Sequence, residues 1–198
     1  MKIITLLAAT TLGFCLSLHS TSGLADSRPG KTEIKTTLGG RAEIYPSLRN
    51  WFTAALKRDS NLVAEDRYAE AIADLRKLLD DGSLTHFEVA RAQQVLSSYY
   101  WAVGDNQHAY DAIKAAVTAN GLNNVEHLQA MYRAAQILTV MDRYKESAAE
   151  FDHYQQDAPN VAGSEYVLQA INYFYQMDYR SSLLYVDKAF ATGEEPAA

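Results

Sequence analysis

Apolar residues recur along this chain at spacings of three and four, in stretches of helical length. Four times such a stretch ends in a short acidic turn from which a second helix can start at once. The turns read Glu65-Asp66-Arg67-Tyr68, Gly104-Asp105-Asn106-Gln107, Met141-Asp142-Arg143-Tyr144 and Gln176-Met177-Asp178-Tyr179. Aligning Tyr68, Asn106, Tyr144 and Tyr179 gives spacings of 38, 38 and 35 residues. A period in this range predicts an all-α solenoid of stacked helical hairpins, about four of them.

The second hairpin shows the pattern best. Its first helix, predicted over 87–103, places Val89, Ala92, Val95, Leu96, Tyr99 and Tyr100 on one broad stripe. Gly104 ends it by tolerating left-handed backbone, and Asp105 caps the next. The second helix, 107–119, carries the small stripe Ala109, Ala112, Ile113, Ala116 and Val117. The third hairpin is predicted over 125–141 and 143–156, the fourth over 164–177 and 179–191. In the first, 68–79 is a clear helix with Ala71, Ile72, Leu75 and Leu78 on one face. Its partner, 47–64, carries the polar interruption Lys57-Arg58-Asp59-Ser60-Asn61, which predicts a split or irregular helix. Helical order is expected to begin near Pro46, where a proline at the first helical position costs no hydrogen bond.

Ahead of the repeats stands Met1-Lys2, an apolar run from Ile3 to Leu18 and the small, polar Ser20-Thr21-Ser22-Gly23-Leu24-Ala25. This order predicts a secretory signal peptide, 1–25, cut near Ala25. An uncleaved anchor is the rival, but the run is short and holds Thr5, Thr10 and Thr11. A lipoprotein is a second rival, opposed by the large Phe14 before Cys15. Residues 26–45 carry Pro29, Gly39 and Gly40 without helical period and read as a flexible leader. The repeat domain is expected over 46–193, with a short tail over 194–198.

The full chain carries a net charge of −6, and removing the signal takes away one lysine, leaving 17 basic and 24 acidic side chains, a balance of −7. No Lys/Arg run is present, so nothing suits phosphate backbones or anionic lipid, and no nucleic-acid partner is expected. Cys15 is the single cysteine, so the exported chain would have no disulfide and must stabilise itself by burial.

Chemical motifs are sparse. The string from Ala25 to Thr32 fits a relaxed phosphate-loop spelling, but it follows a signal peptide rather than a buried strand. His19, His86, His108, His127 and His153 place no two imidazoles on one helical turn, so no metal site or cofactor is expected. His86 and His127 lie just before predicted first helices, where turn and cap roles explain them. Glu65-Asp66, Asp80-Asp81 and Glu194-Glu195 sit at helix ends or in turns, where they cap or stay solvated. Neither a Gly-x-Ser-x-Gly elbow nor a cysteine–histidine pair survives processing, so the chain is not expected to be an enzyme.

The hairpins resemble tetratricopeptide repeats (TPR). The second repeat spells Leu96, Ser97, Tyr100, Gly104, Ala109, Ala116 and then Gly121 where that family has proline. The third spells Met131, Ala135, Leu138, Asp142, Tyr144, Ser147, Phe151 and Pro159, and the fourth Tyr166, Ala170, Tyr173, Tyr179, Ser182, Val186 and Ala189. The first matches chiefly at Tyr68, Ala71, Leu75 and Leu78. Periods of 38 exceed the family's usual 34 and predict longer connections at 80–86 and 120–127.

The resemblance implies a right-handed α-solenoid whose first helices line a concave groove. By position it assigns to that groove Arg91, Gln94, Ser98 and Trp101, then Gln129, Tyr132, Gln136 and Thr139, then Ser164, Val167, Ile171 and Phe174, with Arg133 at the margin. Of these, Arg91, Gln94, Ser98, Trp101, Tyr132, Arg133, Gln136 and Phe174 form the expected peptide-binding set, since such surfaces use aromatic, amide and arginine side chains. The alternative is that they cover seams between hairpins. The exported leader and stretched, tyrosine-rich repeats also resemble the periplasmic TPR proteins that accompany TonB–ExbB–ExbD systems. The implied function is a non-enzymatic periplasmic or secreted adaptor for a protein or peptide segment. A scaffold for outer-membrane or cell-wall assembly, or a non-catalytic subunit of an envelope enzyme, is the alternative. The apolar last helix, with Leu183, Leu184, Val186 and Phe190, is expected to associate with another copy or a partner.

Overall fold

The computed structural model describes residues 47–193; the expected signal peptide, leader and tail lie outside the described residues. Among the described residues eight helices follow one another: α1 (Asn50–Ala64), α2 (Tyr68–Asp80), α3 (His86–Ala102), α4 (Asn106–Thr118), α5 (Asn124–Val140), α6 (Tyr144–Asp157), α7 (Gly163–Tyr175) and α8 (Tyr179–Ala191). Consecutive helices pack in pairs, α1 with α2 through α7 with α8, and each second helix also touches the next first helix. Among the described residues there is no strand, and no helix is long and apolar enough to cross a membrane.

One turn is used four times. At Asp66, Gly104, Asp142 and Met177 the backbone is left-handed, with φ of 58°, 80°, 59° and 62°. The amides of Arg67, Asp105, Arg143 and Asp178 bond back to Leu62, Tyr100, Leu138 and Tyr173 at 2.9–3.0 Å. Those of Asp66, Gly104, Asp142 and Met177 bond to Val63, Trp101, Thr139 and Phe174 at 3.0–3.1 Å. This double closure satisfies carbonyls that a helix end leaves unpaired, and it reverses the chain within three residues. The next helix is capped in two ways. Asp105 and Asp178 accept the amides of His108 and Ser181, whereas Arg67 and Arg143 clamp Glu70 and Glu146 three residues on.

The expected longer connections are not found. The hairpins are joined by five residues in every case, 81–85, 119–123 and 158–162. The 38-residue spacing comes instead from first helices of 17 residues in α3 and α5, against 13 in α7. Their starts are fixed by caps. The Thr85 hydroxyl accepts the Glu88 amide while Glu88 accepts the Thr85 amide, and Asn123 accepts the Glu126 amide. His86 and His127 therefore lie inside α3 and α5 rather than before them. Gly121, in the 119–123 connection, leaves no room for a side chain, since a Cβ there would sit 2.3 Å from the His86 carbonyl oxygen.

Two further expectations at the first hairpin are corrected. Residues 47–49 are not helical, so α1 starts at Asn50 and not near Pro46. The polar run 57–61 does not split α1, which is continuous to Ala64. Lys57, Arg58, Ser60 and Asn61 face solvent, and only Asp59 turns inward, 1% exposed.

The reason Asp59 is buried lies in how the hairpins cross. Each later hairpin sets an alanine against a serine whose hydroxyl donates across to the alanine carbonyl. The pairs are Ser97 to Ala109 at 2.7 Å, Ser147 to Ala135 at 2.7 Å and Ser182 to Ala170 at 2.9 Å. Asp59 occupies the equivalent place opposite Ala71. One of its oxygens lies 3.5 Å from Arg58 and the other is buried without a hydrogen bond. Burial accordingly raises its pKa above the ordinary aspartate value.

The core runs as two apolar clusters. One spans the first three hairpins, with Phe52, Leu75, Tyr99, Ile113, Leu122 and Ile137, and the other joins hairpins three and four through Met131, Ala135, Phe151, Tyr154 and Leu168. The seam between α6 and α7 is also polar. Asn172, fully buried, donates to the Ser147 hydroxyl at 2.8 Å and accepts from Thr139 at 2.8 Å, and Gln169 donates to the Ala148 carbonyl at 3.1 Å.

Candidate functional site

The expected peptide-binding residues divide into three groups. On α3, Arg91 donates to Gln94 at 2.8 Å, pairs with Glu126 of α5 and lies over the Phe87 ring. Gln94 is itself buried, and the Ser98 hydroxyl turns back onto the Gln94 carbonyl at 3.2 Å. Arg91, Gln94 and Ser98 thus bond to one another and, through one oxygen of Glu126, tie α3 to α5.

The second group is Trp101, Arg133 and Gln136. The helices α3 and α5 bring the Arg133 guanidinium over the Trp101 ring, 4.4 Å from its centre, and Arg133 also reaches Gln136 at 3.4 Å. Both Trp101 and Arg133 are half-buried. No carboxylate pairs with Arg133 among the described residues, and burial pushes its pKa below the usual arginine value. A cation on an indole, partly stripped of water and lacking a counter-ion, is a place where an incoming carboxylate gains more than it would in bulk solvent.

Tyr132 and Phe174 stand apart from it. The Tyr132 ring packs on Tyr154 at 5.4 Å and Phe151 at 6.3 Å, within the core joining hairpins three and four, and burial pushes its hydroxyl up to about 12. Phe174, 52% exposed at the end of α7, packs on Tyr175 and Tyr179, both at 5.6 Å. Of the other positions the family pattern assigns to the groove, Thr139 is buried in the polar seam, and Gln129, Ser164 and Val167 are exposed. A depression of about 280 Å³ lies elsewhere, lined by residues that include Lys114, Glu150 and His153, and none of the expected residues borders it. Among the described residues no cluster of three or more His, Cys, Asp or Glu side chains is placed to hold a metal.

Sequence reasoning did not single out Glu126, Phe87 or the absence of a carboxylate beside Arg133. The first two were legible in principle. Glu126 stands three residues after the cap Asn123, and Phe87 lies four residues before Arg91, on the same helical face.

No known protein-family pattern matches the chain, and no curated protein matches it. Solved structures do. The crystal structure of MamA shares 19% identity over 73% of this chain and 79% of that one, with a TM-score of 0.59. MamA 41-end from Desulfovibrio magneticus RS-1 shares 14% identity over 73% and 77%, with a TM-score of 0.59. A Podosopora anserina putative kinesin light chain with nearly identical TPR-like repeats shares 14% over 76% and 82%, with a TM-score of 0.57. The architecture is TPR-like. Identities this low carry the stacked-hairpin fold to this chain and nothing of its neighbours' partners.

Proposed function

We propose that this TPR-like chain is a non-enzymatic adaptor that holds a carboxylate-bearing protein segment against Trp101 and Arg133. One observation carries the reading: the Arg133 cation is stacked on Trp101, half-buried and, among the described residues, without a carboxylate of its own. The surroundings support it, because Arg91 is already paired with Glu126, whereas no described carboxylate pairs with Arg133. Interfaces concentrate their energy in such aromatic and arginine anchors.

The N-terminal charge, apolar run and small residues support export by a cleaved signal peptide, with action in the periplasm or outside the cell. Within that compartment the most specific partner is a TonB-type envelope complex, supported only by the resemblance of the leader and of the stretched, tyrosine-rich repeats. A scaffold for outer-membrane or cell-wall assembly is the second reading. The test is capture from envelope extract by the purified chain, compared with Trp101→Ala and Arg133→Ala. Recovery of the captured protein is expected to fall at least about tenfold for each, as anchor truncations cost about 2 kcal/mol. Unchanged recovery with unchanged melting would move the binding face away from this pair.

A further inference from the structure

The solenoid has two unlike ends. At its start, Arg58 and Asn61 stand where Gln169 and Asn172 of α7 reach back to the preceding hairpin, and both face solvent. Trp51 is the large apolar side chain exposed there, and the Arg49 guanidinium covers its ring at 4.6 Å. At the finish, Leu183 takes the place that Ala148 and Tyr110 hold in the earlier hairpins, and Phe190 that of Gln155 and Val117. The earlier residues are covered by the next hairpin: the Ala148 carbonyl receives Gln169, and the Tyr110 hydroxyl donates to Glu150. Leu183 and Phe190 are instead 64% and 66% exposed, with Leu184 at 54% and Met177 at 77%.

These side chains lie in order. At 100° per residue, Arg180, Leu183, Leu184, Asp187 and Phe190 form one stripe along α8. Arg180 and Asp187 are both exposed, and neither makes an ion pair among the described residues. Their midpoint falls between Leu183 and Leu184. A helix of the same sequence laid antiparallel across that midpoint would set Leu183 against Leu184 and Arg180 against Asp187, each contact made twice. The stripe is therefore complementary to itself, in charge and in apolar surface. Head-to-tail stacking would instead press the same leucines against Arg58 and Asn61, desolvating polar groups with no partner in return.

We propose that α8 pairs with α8 of a second copy in a tail-to-tail, two-fold dimer centred between Leu183 and Leu184. A two-fold interface of this kind is closed, so assembly stops at two copies, whereas head-to-tail contacts would continue as a filament. The interface is independent of the Trp101–Arg133 face, so either inference can fail without the other.

The experiment is light scattering and sedimentation on the purified full chain and four variants, with far-UV circular dichroism and melting as controls. The wild type is expected at the mass of two copies at micromolar concentration. Leu183→Glu and Leu184→Glu are expected at the mass of one, with unchanged helicity, because both side chains are exposed in the single copy. Arg180→Glu places two acids together and is expected to raise the dissociation constant at least about tenfold. Adding Asp187→Arg restores opposite charges in exchanged positions and is expected to return affinity to within about threefold of wild type. A wild-type chain that stays single at every concentration would overturn the proposal, leaving a different protein as the occupant. Assemblies that grow past two copies would also overturn it, in favour of stacking, as would a dimer whose affinity the charge exchange does not restore.

Discussion

Removing one hydroxyl, that of Ser147, is expected to cost more than removing its counterpart in any other hairpin. In the second hairpin, Ser97 makes a single bond, to the Ala109 carbonyl, which also lies within a helix. Ser97→Ala should therefore cost about 1 kcal/mol, the net value of one buried hydrogen bond. Ser147 makes the same bond to Ala135, but its oxygen also accepts from the Asn172 side-chain amide at 2.8 Å. Ser147→Ala leaves that buried N–H with only a 3.3 Å contact to Gln169. A buried donor stripped of its partner adds about 1–2 kcal/mol, so the total should be about 2–3 kcal/mol. Replacing the whole group by apolar side chains, Thr139→Val with Ser147→Ala and Asn172→Leu, should cost less than Ser147→Ala alone, because no donor is then orphaned. Urea unfolding with unchanged slope gives the stabilities. Equal losses for Ser97→Ala and Ser147→Ala, or a triple variant worse than Ser147→Ala, would show that the seam is not held by this network.

Three further substitutions have definite signs. Met177→Gly should stabilise by about 1 kcal/mol, measured with Leu183→Glu present so that association does not enter, since a left-handed non-glycine residue costs about 1–2 kcal/mol and glycine returns part of that as unfolded-state entropy. Asp59→Ser should raise stability near pH 7 in urea unfolding. Asp59 has a raised pKa in the fold, so its penalty is present at neutral pH, and the gain should shrink as pH falls through the ordinary aspartate range. Glu88 is the opposite case: hydrogen bonds from Arg49 hold its carboxyl down at about 2 against an ordinary 4.5, so its contribution is present above that ordinary value and lost as pH falls towards 2. In Glu88→Gln the acid-side decline between those two values should be shallower than in wild type.

The reversals of this chain could be read directly because each needs a special backbone. Gly104, Asp66 and Asp142 suit the left-handed position, and together with Met177 their regular spacing placed all four hairpins. What lay between hairpins was harder. Asn172 and Gln169 look like surface amides on a helix, and only the stacking of α7 on α6 shows that they are buried. Tyr132 was assigned to the groove by position, yet its ring fills space beside Phe151 and Tyr154, where repeat spelling carries no information. The excess of 38 over the family's usual 34 reads from the sequence as longer connections. The Thr85-x-x-Glu88 capping box was the local signal that the helices themselves start earlier.

That early start has a mechanical consequence. Because the hairpin turns are in register at the other end, the extra turn of α3 and of α5 projects about 6 Å beyond the level at which α7 begins. Each projecting turn carries a glutamate that grips an arginine of the hairpin before it, Glu88 with Arg49 and Glu126 with Arg91. The first three hairpins are thus stitched along one margin by charge. Helix α7 lacks the extra turn, so the stitching stops there. Rocking of the last hairpin against the other three is opposed by the Thr139–Ser147–Asn172 cluster near the middle of the stack and, at the edge, by the hydrogen bond from the Tyr154 hydroxyl to Glu165 rather than by an arginine–glutamate pair. The first three hairpins should therefore move as one stiff block whose rigidity falls with added salt. The fourth pivots on a polar seam that salt barely touches, and carries its apolar stripe through an arc the others cannot follow.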